Sequence, residues 1–450
     1  MKPDPRQPLL FLELNEVNFD FVRGYVRQGR LPTFARLFRD HGFARTESEE
    51  AYEKLEPWIQ WVTAHTGKSF AEHAVFRLGD IVNHDIPQVW EYLEHQGLRV
   101  GAVSPMNAKN RLKQPAFFIP DPWTATTVHG APRMRRLYEA IAQAVGDNAQ
   151  SRVTVRSLWN LLIGFVSYSR PSNWARYLRY ALTARGKPWR KAMFLDLLLA
   201  DLFTLEVRRT RPHFATLFLN AAAHIQHHYL FCSSIYQGAN RNPGWYVGAG
   251  EDPVLEVYDL YDRIVDQVQK RFPQFRLMLG TGLHQNAHPE VTFYWRLKDH
   301  DDFLRRIGVP FSRVEPRMSR DFLVTCASVE QGMAAERQLA AATAPDGTPL
   351  FDVDNRGTDL FVMFVYPHDV PADMGFRVGG SAYTDLRSQI AFVALKNGEH
   401  DGIGYFVDTG RTLDPEAKPF PLASIPGKVC EALLGSTSGP GHPFPSQPSA

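Results

Sequence analysis

The stretch 214–229, FATLFLNAAAHIQHHY, constrains this chain more than any other. An apolar, β-rich run from Phe214 to Leu219 stops at Asn220, and His224, His227 and His228 follow closely. The run has the length and composition of a buried strand. Polar residues just past the C-terminal end of such a strand are where open α/β sheets bind ligands. The histidine-rich segment reads as a loop, and function turns on what that loop meets.

Other segments set the strand in a layered fold. Leu9–Leu14 is a short apolar strand with Glu13, Asn15 and Glu16 at its end. Asn18 or Asp20 can cap a helix through Arg27, and Pro32 opens a second helix closed by Gly42. Pro57 starts another, ended by Gly67. In PQVWEYLEHQGLRVGAVSP (87–105) a helix, a glycine stop and the strand Val100–Val103 follow in order. Strand–helix–strand alternation of this kind predicts a parallel or mostly parallel sheet flanked by helices. The segment 151–211 is helical and basic, broken at 170–173, and suits a solvated face, an anionic substrate or a membrane surface. Beyond about 314, a strand at 321–326, a helix and two strands joined at Arg356-Gly357 form a compact inserted module. The expected organisation is an α/β core of 1–313 plus 385–435, with 151–211 as a helical insertion. An α+β cap covers 314–384, and 436–450 is a disordered, Pro/Ser/Gly-rich tail.

A net charge of +2 over 450 residues gives no sign of a nucleic-acid partner. Cys232, Cys326 and Cys430 are far apart, so neither a disulfide framework nor a cysteine zinc site is indicated. The longest apolar stretch, 158–166, is too short to span a bilayer. With no leader-like N-terminal pattern, the expected location is cytoplasmic.

Several separated pieces stand in a familiar order: LLFLELNEVNFD, GRLPTFARLFRDHG, WIQWVTAHTGKSFAEHAVF, VWEYLEHQGLRVGAVSP, FATLFLNAAAHIQHHY, LMLGTGLHQNAH, EHDGIGYFVDTG and PLASIPGKVCEALLG. Spanning 9–435, this order resembles the alkaline phosphatase superfamily, in particular its phosphodiesterase/nucleotide-pyrophosphatase branch. The resemblance implies an alkaline-phosphatase-like sheet whose C-terminal edge holds two divalent metals beside a Ser/Thr nucleophile. Position by position, this chain departs from that pattern. Asn15 stands where the first metal-binding aspartate belongs, with Glu16 alongside. Pro57 falls at the nucleophile, next to Glu56. The Asp-x3-His loop becomes Asn220-x3-His224. The Asp-His loop keeps only His284, and the last histidine is His400.

Three histidine positions persist while the carboxylates and the nucleophile do not. The implied metal ligands are His224, His284 and His400, with His227 or His228 nearby, enough for one zinc-like divalent ion. A metal-free site is the alternative. Glu56, Asn15 and Glu16 are the implied catalytic group, with Glu56 a general base, a metal ligand or simply a residue favoured at a helix start. Asn220, Gln285 and His228 are the implied substrate contacts. The expected function is hydrolysis or transfer of a phosphate-, phosphodiester- or sulfate-like group of a small anionic substrate. The alternatives are metal-poor acid/base chemistry on the same fold, or a non-catalytic ligand- or partner-binding protein.

Overall fold

The protein is described here by a computed structural model over residues 7–49, 51, 54–146, 155–317 and 320–435. The expected disordered tail, 436–450, and the first residues of the helical insertion, 151–154, lie outside the described residues. The main sheet contains β1 (Leu9–Leu14), β2 (Ala44–Glu47), β3 (Val100–Val103), β4 (Phe117–Ile119), β5 (Phe214–Leu219) and β6 (Arg276–Gly280). A ribbon of β7 (His284–Leu297) and β8 (Ile390–Asp401) leaves the sheet, and β9 (Ile403–Asp408) and β10 (Phe420–Pro421) return to it. The sheet order is β10-β2-β9-β6-β1-β5-β3-β4. All pairings are parallel except those of β9 with β2 and β6. The chain is thus a mixed α/β protein with a mostly parallel sheet between helices.

Both faces of β1 are covered, which is why its sequence is apolar throughout. Leu10, Leu12 and Leu14 join a core with Leu217 and Leu219, whereas Leu9 and Phe11 join a second core with Phe214 and Phe218. The first face carries α1 (Phe19–Arg27) and α2 (Pro32–His41); the second carries α3 (Pro57–Thr66) and α4 (Val89–His95). Next in the chain come α5 (Pro132–Gly146), α6 (Val155–Tyr168), α7 (Trp174–Thr183) and α8 (Arg190–Thr210). α9 (Ala221–Tyr229) and α10 (Pro253–Arg271) complete the first face, and α11 (Ile425–Leu434) the second. The start of α2 has no side-chain cap of its own, because Leu31 precedes Pro32. Asp262 of α10 supplies it by accepting from the Thr33 and Phe34 amides at 2.9 and 2.8 Å. A helix end is thereby satisfied by tertiary packing.

A separate core links Trp295, Phe303, Phe322, Phe351, Leu360 and Ile390. Its antiparallel sheet runs Phe351–Asn355, Asp359–Phe364, Asp321–Thr325, Arg313–Pro316 in spatial order. The helix His300–Arg306 packs into it through Phe303 and Leu304. Two side chains of this helix, which precedes the expected 314–384 module in the chain, thus sit in the same core. The three cysteines are unpaired, with Cys326 and Cys430 buried. Among the described residues no helix is long and apolar enough to cross a membrane.

One buried histidine gives the fold a pH signature. His73, in the turn after α3, accepts from the Val75 amide at Nδ1 and lies 3.2 Å from Thr63 Oγ1. Burial, helped by His84, lowers its value to about 4. A depressed histidine contributes stability that is present above its ordinary value and lost as pH falls through the folded value. Of the stability lost in urea unfolding between pH 6.5 and 4, His73 should accordingly account for a share on the order of 2–3 kcal/mol. His73→Asn, which keeps an acceptor for Val75, should flatten that portion of the profile; an unchanged profile would contradict the assignment.

Candidate functional site

The register of the three central strands fixes the site. Leu14 pairs with Leu219 and Glu13 with Gly280, so β1, β5 and β6 end at one level. The ladder continues one step further. The Asn15 amide donates to Leu219 O and the Glu16 amide to Thr281 O, both at 3.0 Å. Held from both sides, Glu16 takes a left-handed backbone conformation, φ 59°. A β-carbon there is costly, and such outliers gather where a side chain must be aimed. Its carboxylate turns inward and is almost fully buried.

Four chain segments converge on that carboxylate. Glu16 Oε2 lies 3.2 Å from His227 Nε2 and 3.3 Å from His400 Nε2, and the two nitrogens are 3.2 Å apart. Gln285 Nε2 donates to the same oxygen, while Asn15 Nδ2 donates to Oε1 at 3.1 Å. Burial alone would push the Glu16 carboxyl up. His400 and His227 outweigh it, so the carboxyl sits well below the usual carboxylate range. Reciprocally, His400 is pushed down by burial but raised on balance, chiefly by Glu16.

Each partner is placed by local structure. The segment expected to be a histidine-rich loop is the helix α9, whose first amides are capped from outside. Ala221 N donates to Asp196 at 2.8 Å and Ala222 N to the Tyr261 hydroxyl at 3.1 Å. Gln226 on the same helix donates to the Glu16 carbonyl at 2.9 Å. These bonds fix the rotation of α9 and bring His227 to the carboxylate. On the ribbon, His400 pairs directly with Gln285, so one rung delivers two of the contacts.

Asn15 and Asn220 form an amide pair where the resemblance implied aspartates. Asn15 Nδ2 donates to Asn220 Oδ1 at 2.8 Å, and Asn15 Oδ1 accepts from Trp61 Nε1 at 2.7 Å. Trp61 can bond to an oxygen but not to an amide NH2, so the orientation of Asn15 follows from the indole. Beneath it, Glu13 does not reach the site. It accepts from Thr216 Oγ1 and faces His65 Nε2 at 3.2 Å inside the sheet.

The three histidines expected to share a metal are not brought together. His400 is at the centre. His284 has both ring nitrogens engaged, Nδ1 with Ile403 O and Nε2 with Asn286 Oδ1. His224 is exposed and packs edge-on against His228 at 5.0 Å. His228 is anchored by Nδ1 to Leu395 O at 2.9 Å, and Gln285 commits its NH2 group to Glu16 and Ala223 O. Among the described residues, Glu16, His227 and His400 are the cluster with metal-ligand chemistry. Helical spacing puts His224, His227 and His228 on one side of α9, and only packing selects His227.

Glu56 is the N-cap residue of α3 and its side chain makes no capping bond. Its Oε2 stands 4.0 Å from His400 Nδ1, an electrostatic contact beyond hydrogen-bond reach. Burial raises its carboxyl above the ordinary value, with Glu16 adding to the effect and His400 opposing it. The ribbon and the cap contribute cations that the motifs did not indicate. Lys396 on β8 is lowered by burial and feels both Arg320 and Glu56. Arg320 lies 4.2 Å over the Tyr294 ring. The only sequence signal for Lys396 is an LKNGEH run leading to His400, and Arg320 has none. The hydroxyls of Ser48, Thr63 and Thr66 are committed to Gly282 O, His73 and Val62 O.

No protein-family model matches the sequence, and no curated protein matches it. Solved structures do overlay it along nearly its full length. Phosphonoacetate hydrolase from Sinorhizobium meliloti 1021, in complex with phosphonoacetate, is 12% identical with a TM-score of 0.41, covering 96% of this chain and 97% of its own. Human ectonucleotide pyrophosphatase/phosphodiesterase 5 is 10% identical with a TM-score of 0.43, covering 97% of each chain. Identity and structural agreement this low leave the chemistry of the site to its own residues.

The amide pair makes a direct prediction. Asn15→Asp sets a second buried carboxylate against Glu16 and removes the donor to Asn220, so urea unfolding without metal should show a loss of about 2–4 kcal/mol. Added zinc should recover more of that loss than it adds to wild type; wild-type stability in the Asn15→Asp variant would contradict the network.

Proposed function

We propose that this chain is a hydrolase using a single divalent metal, acting on a phosphate-, phosphodiester- or sulfate-like group of a small anionic substrate. The observation carrying this reading is the triangle of Glu16 Oε2, His227 Nε2 and His400 Nε2, with sides of 3.2–3.3 Å. Ligand atoms roughly 2.0–2.1 Å from a tetrahedral zinc stand about 3.3–3.4 Å apart, so this donor set fits such an ion with a position left open. Two histidines and one carboxylate make a zinc-like donor set. A second ion has no comparable support, because Asn15 and Asn220 are neutral and bonded to each other.

A bound ion would supply Lewis acidity and water activation. The protein's own residues supply the rest. Gln285 and Asn15 hold the Glu16 carboxylate in place, as the hydrogen-bonded supports of metal ligands do. Glu56, raised above the ordinary carboxylate value and free of capping duty, is suited to take a proton from water as its oxygen attacks phosphorus or sulfur. As the ester bond breaks, the same carboxyl returns the proton to the leaving oxygen. Water is the favoured nucleophile because the Ser48, Thr63 and Thr66 hydroxyls are bonded elsewhere, whereas Thr46 Oγ1 is buried in the sheet without a partner. Lys396 and Arg320, close enough to act on Glu56 or on one another, suit the anionic group.

Protein purified without chelator should contain a single zinc-like ion that is lost in His227→Ala and His400→Ala but kept in His224→Ala and His284→Ala. Glu56→Gln should keep the ion and lower turnover of nitrophenyl phosphodiester, phosphate or sulfate esters by about 10²–10⁴-fold. Metal analysis and a chromogenic ester screen read both arms. Wild-type protein that takes up no zinc and turns over no ester would overturn the proposal.

A further inference from the structure

The helical insertion carries an apolar surface with no partner among the described residues. α6 and α7 pack inward through Phe165 and Tyr177, whose rings meet at 4.9 Å and both contact Phe194 of α8 at 5.7 and 4.8 Å. α6 also closes on α5, where a β-carbon at Gly164 would come within 2.5 Å of Leu137. These contacts orient both helices and account for one side of each. Their opposite sides are apolar as well. Trp159, Leu162 and Val166 of α6 are 60%, 51% and 61% exposed; Trp174, Leu178 and Leu182 of α7 are 50%, 60% and 74% exposed. Each trio recurs at spacings of three or four, so it lies along one stripe. Aligned exposure of this kind marks a contact surface, unlike single scattered apolar residues.

Charge identifies what would cover it. From 148 to 195 the sequence has no aspartate or glutamate, while Arg170, Arg176, Arg179, Arg185, Lys187, Arg190 and Lys191 fall within that span. Some of these are used internally, as Arg190 and Lys187 are with Glu256 and Glu251. Arg185, just past α7, and Lys191, at the start of α8, are exposed, as are Arg133, Arg135 and Arg136 on the neighbouring α5. Tryptophan and leucine along one side of α6 and α7, with arginine and lysine beside them and no acidic residue on either helix, match an anionic lipid surface, although the neighbouring α5 also carries the exposed Glu139. The net charge of the whole chain is only +2, so the cationic character is concentrated in this region.

We propose that α6 and α7 dock the protein flat on an anionic phospholipid bilayer. The two apolar stripes enter the acyl boundary, and the neighbouring cations meet lipid phosphates. Neither helix is long and apolar enough to cross the bilayer, so the contact is peripheral and reversible.

Co-sedimentation of the full chain with vesicles of phosphatidylcholine, with and without phosphatidylglycerol, tests this. Binding is expected to the anionic vesicles and to weaken with salt. Leu178→Glu combined with Leu182→Glu should reduce it by about tenfold or more, and Arg185→Glu with Lys191→Glu should both weaken it and flatten its salt dependence. All four positions are exposed, and the far-ultraviolet circular dichroism and zinc uptake of the variants should match wild type. Failure to bind anionic vesicles would overturn the proposal, as would binding indifferent to the leucine changes. Concentration-dependent dimerisation in sedimentation velocity, abolished by the same leucine changes, would instead assign the surface to a second copy of the chain.

Discussion

An ionised carboxylate almost without solvent contact must be matched by charge and by hydrogen bonds, or the fold loses several kcal/mol. Glu16 is such a group. Its two oxygens are met by His227, His400, Gln285 and Asn15, and its backbone is pinned in a left-handed conformation by β5 on one side and the turn after β6 on the other. Three of those side chains come from segments more than two hundred residues away in sequence. The carboxylate can stay charged only when sheet, helix α9 and ribbon are all in place, so the site and the tertiary fold form together.

The ribbon is the device that joins the two bodies at this point. Its base supplies His400 and Gln285 to Glu16, while its outer part carries Lys396 and Tyr294 and ends in the core of the cap. Bulges near Phe392 and Lys396 break its regular alternation, and such irregularities re-aim side chains beside sites. Anything that shifts the cap therefore acts on the site through the strand that holds a candidate ligand. By contrast, α6 and α7 lie in the helical insertion and present residues that neither core uses.

Much of the fold is legible from local pattern. The apolar runs of β1, β3, β5 and β6 are distinct because their strands are buried on both faces, and the glycine and proline stops of α2 and α3 fall where the backbone requires them. Part of the arrangement is legible too, since Asn15, Asn220, Gln285 and His400 are joined to Glu16 or to one another beyond the end of β1, with Glu56 4.0 Å from His400. The segment after Asn220 reads as a loop but folds as a helix, because its caps come from Asp196 and Tyr261, distant in sequence. The helix His300–Arg306 precedes the expected cap yet buries Phe303 and Leu304 in its core, because an amphipathic pattern does not say which core its apolar side will meet.

By itself the sequence determined that two apolar strands would end in Asn15 with Glu16 and in Asn220, with a set of histidines following the second. Strand composition and chain order carry that information locally. Only the tertiary structure decided which histidines meet Glu16. His224, His227 and His228 are near-equivalent on one helix, and their roles are separated by the rotation of α9, set by buried bonds to Asp196, Tyr261 and the Glu16 carbonyl. His284 and His400 both lie at the base of the ribbon, yet the former is occupied by backbone and amide contacts while the latter faces the carboxylate. Rotation and register are set by packing over long sequence distances, and no local pattern encodes them.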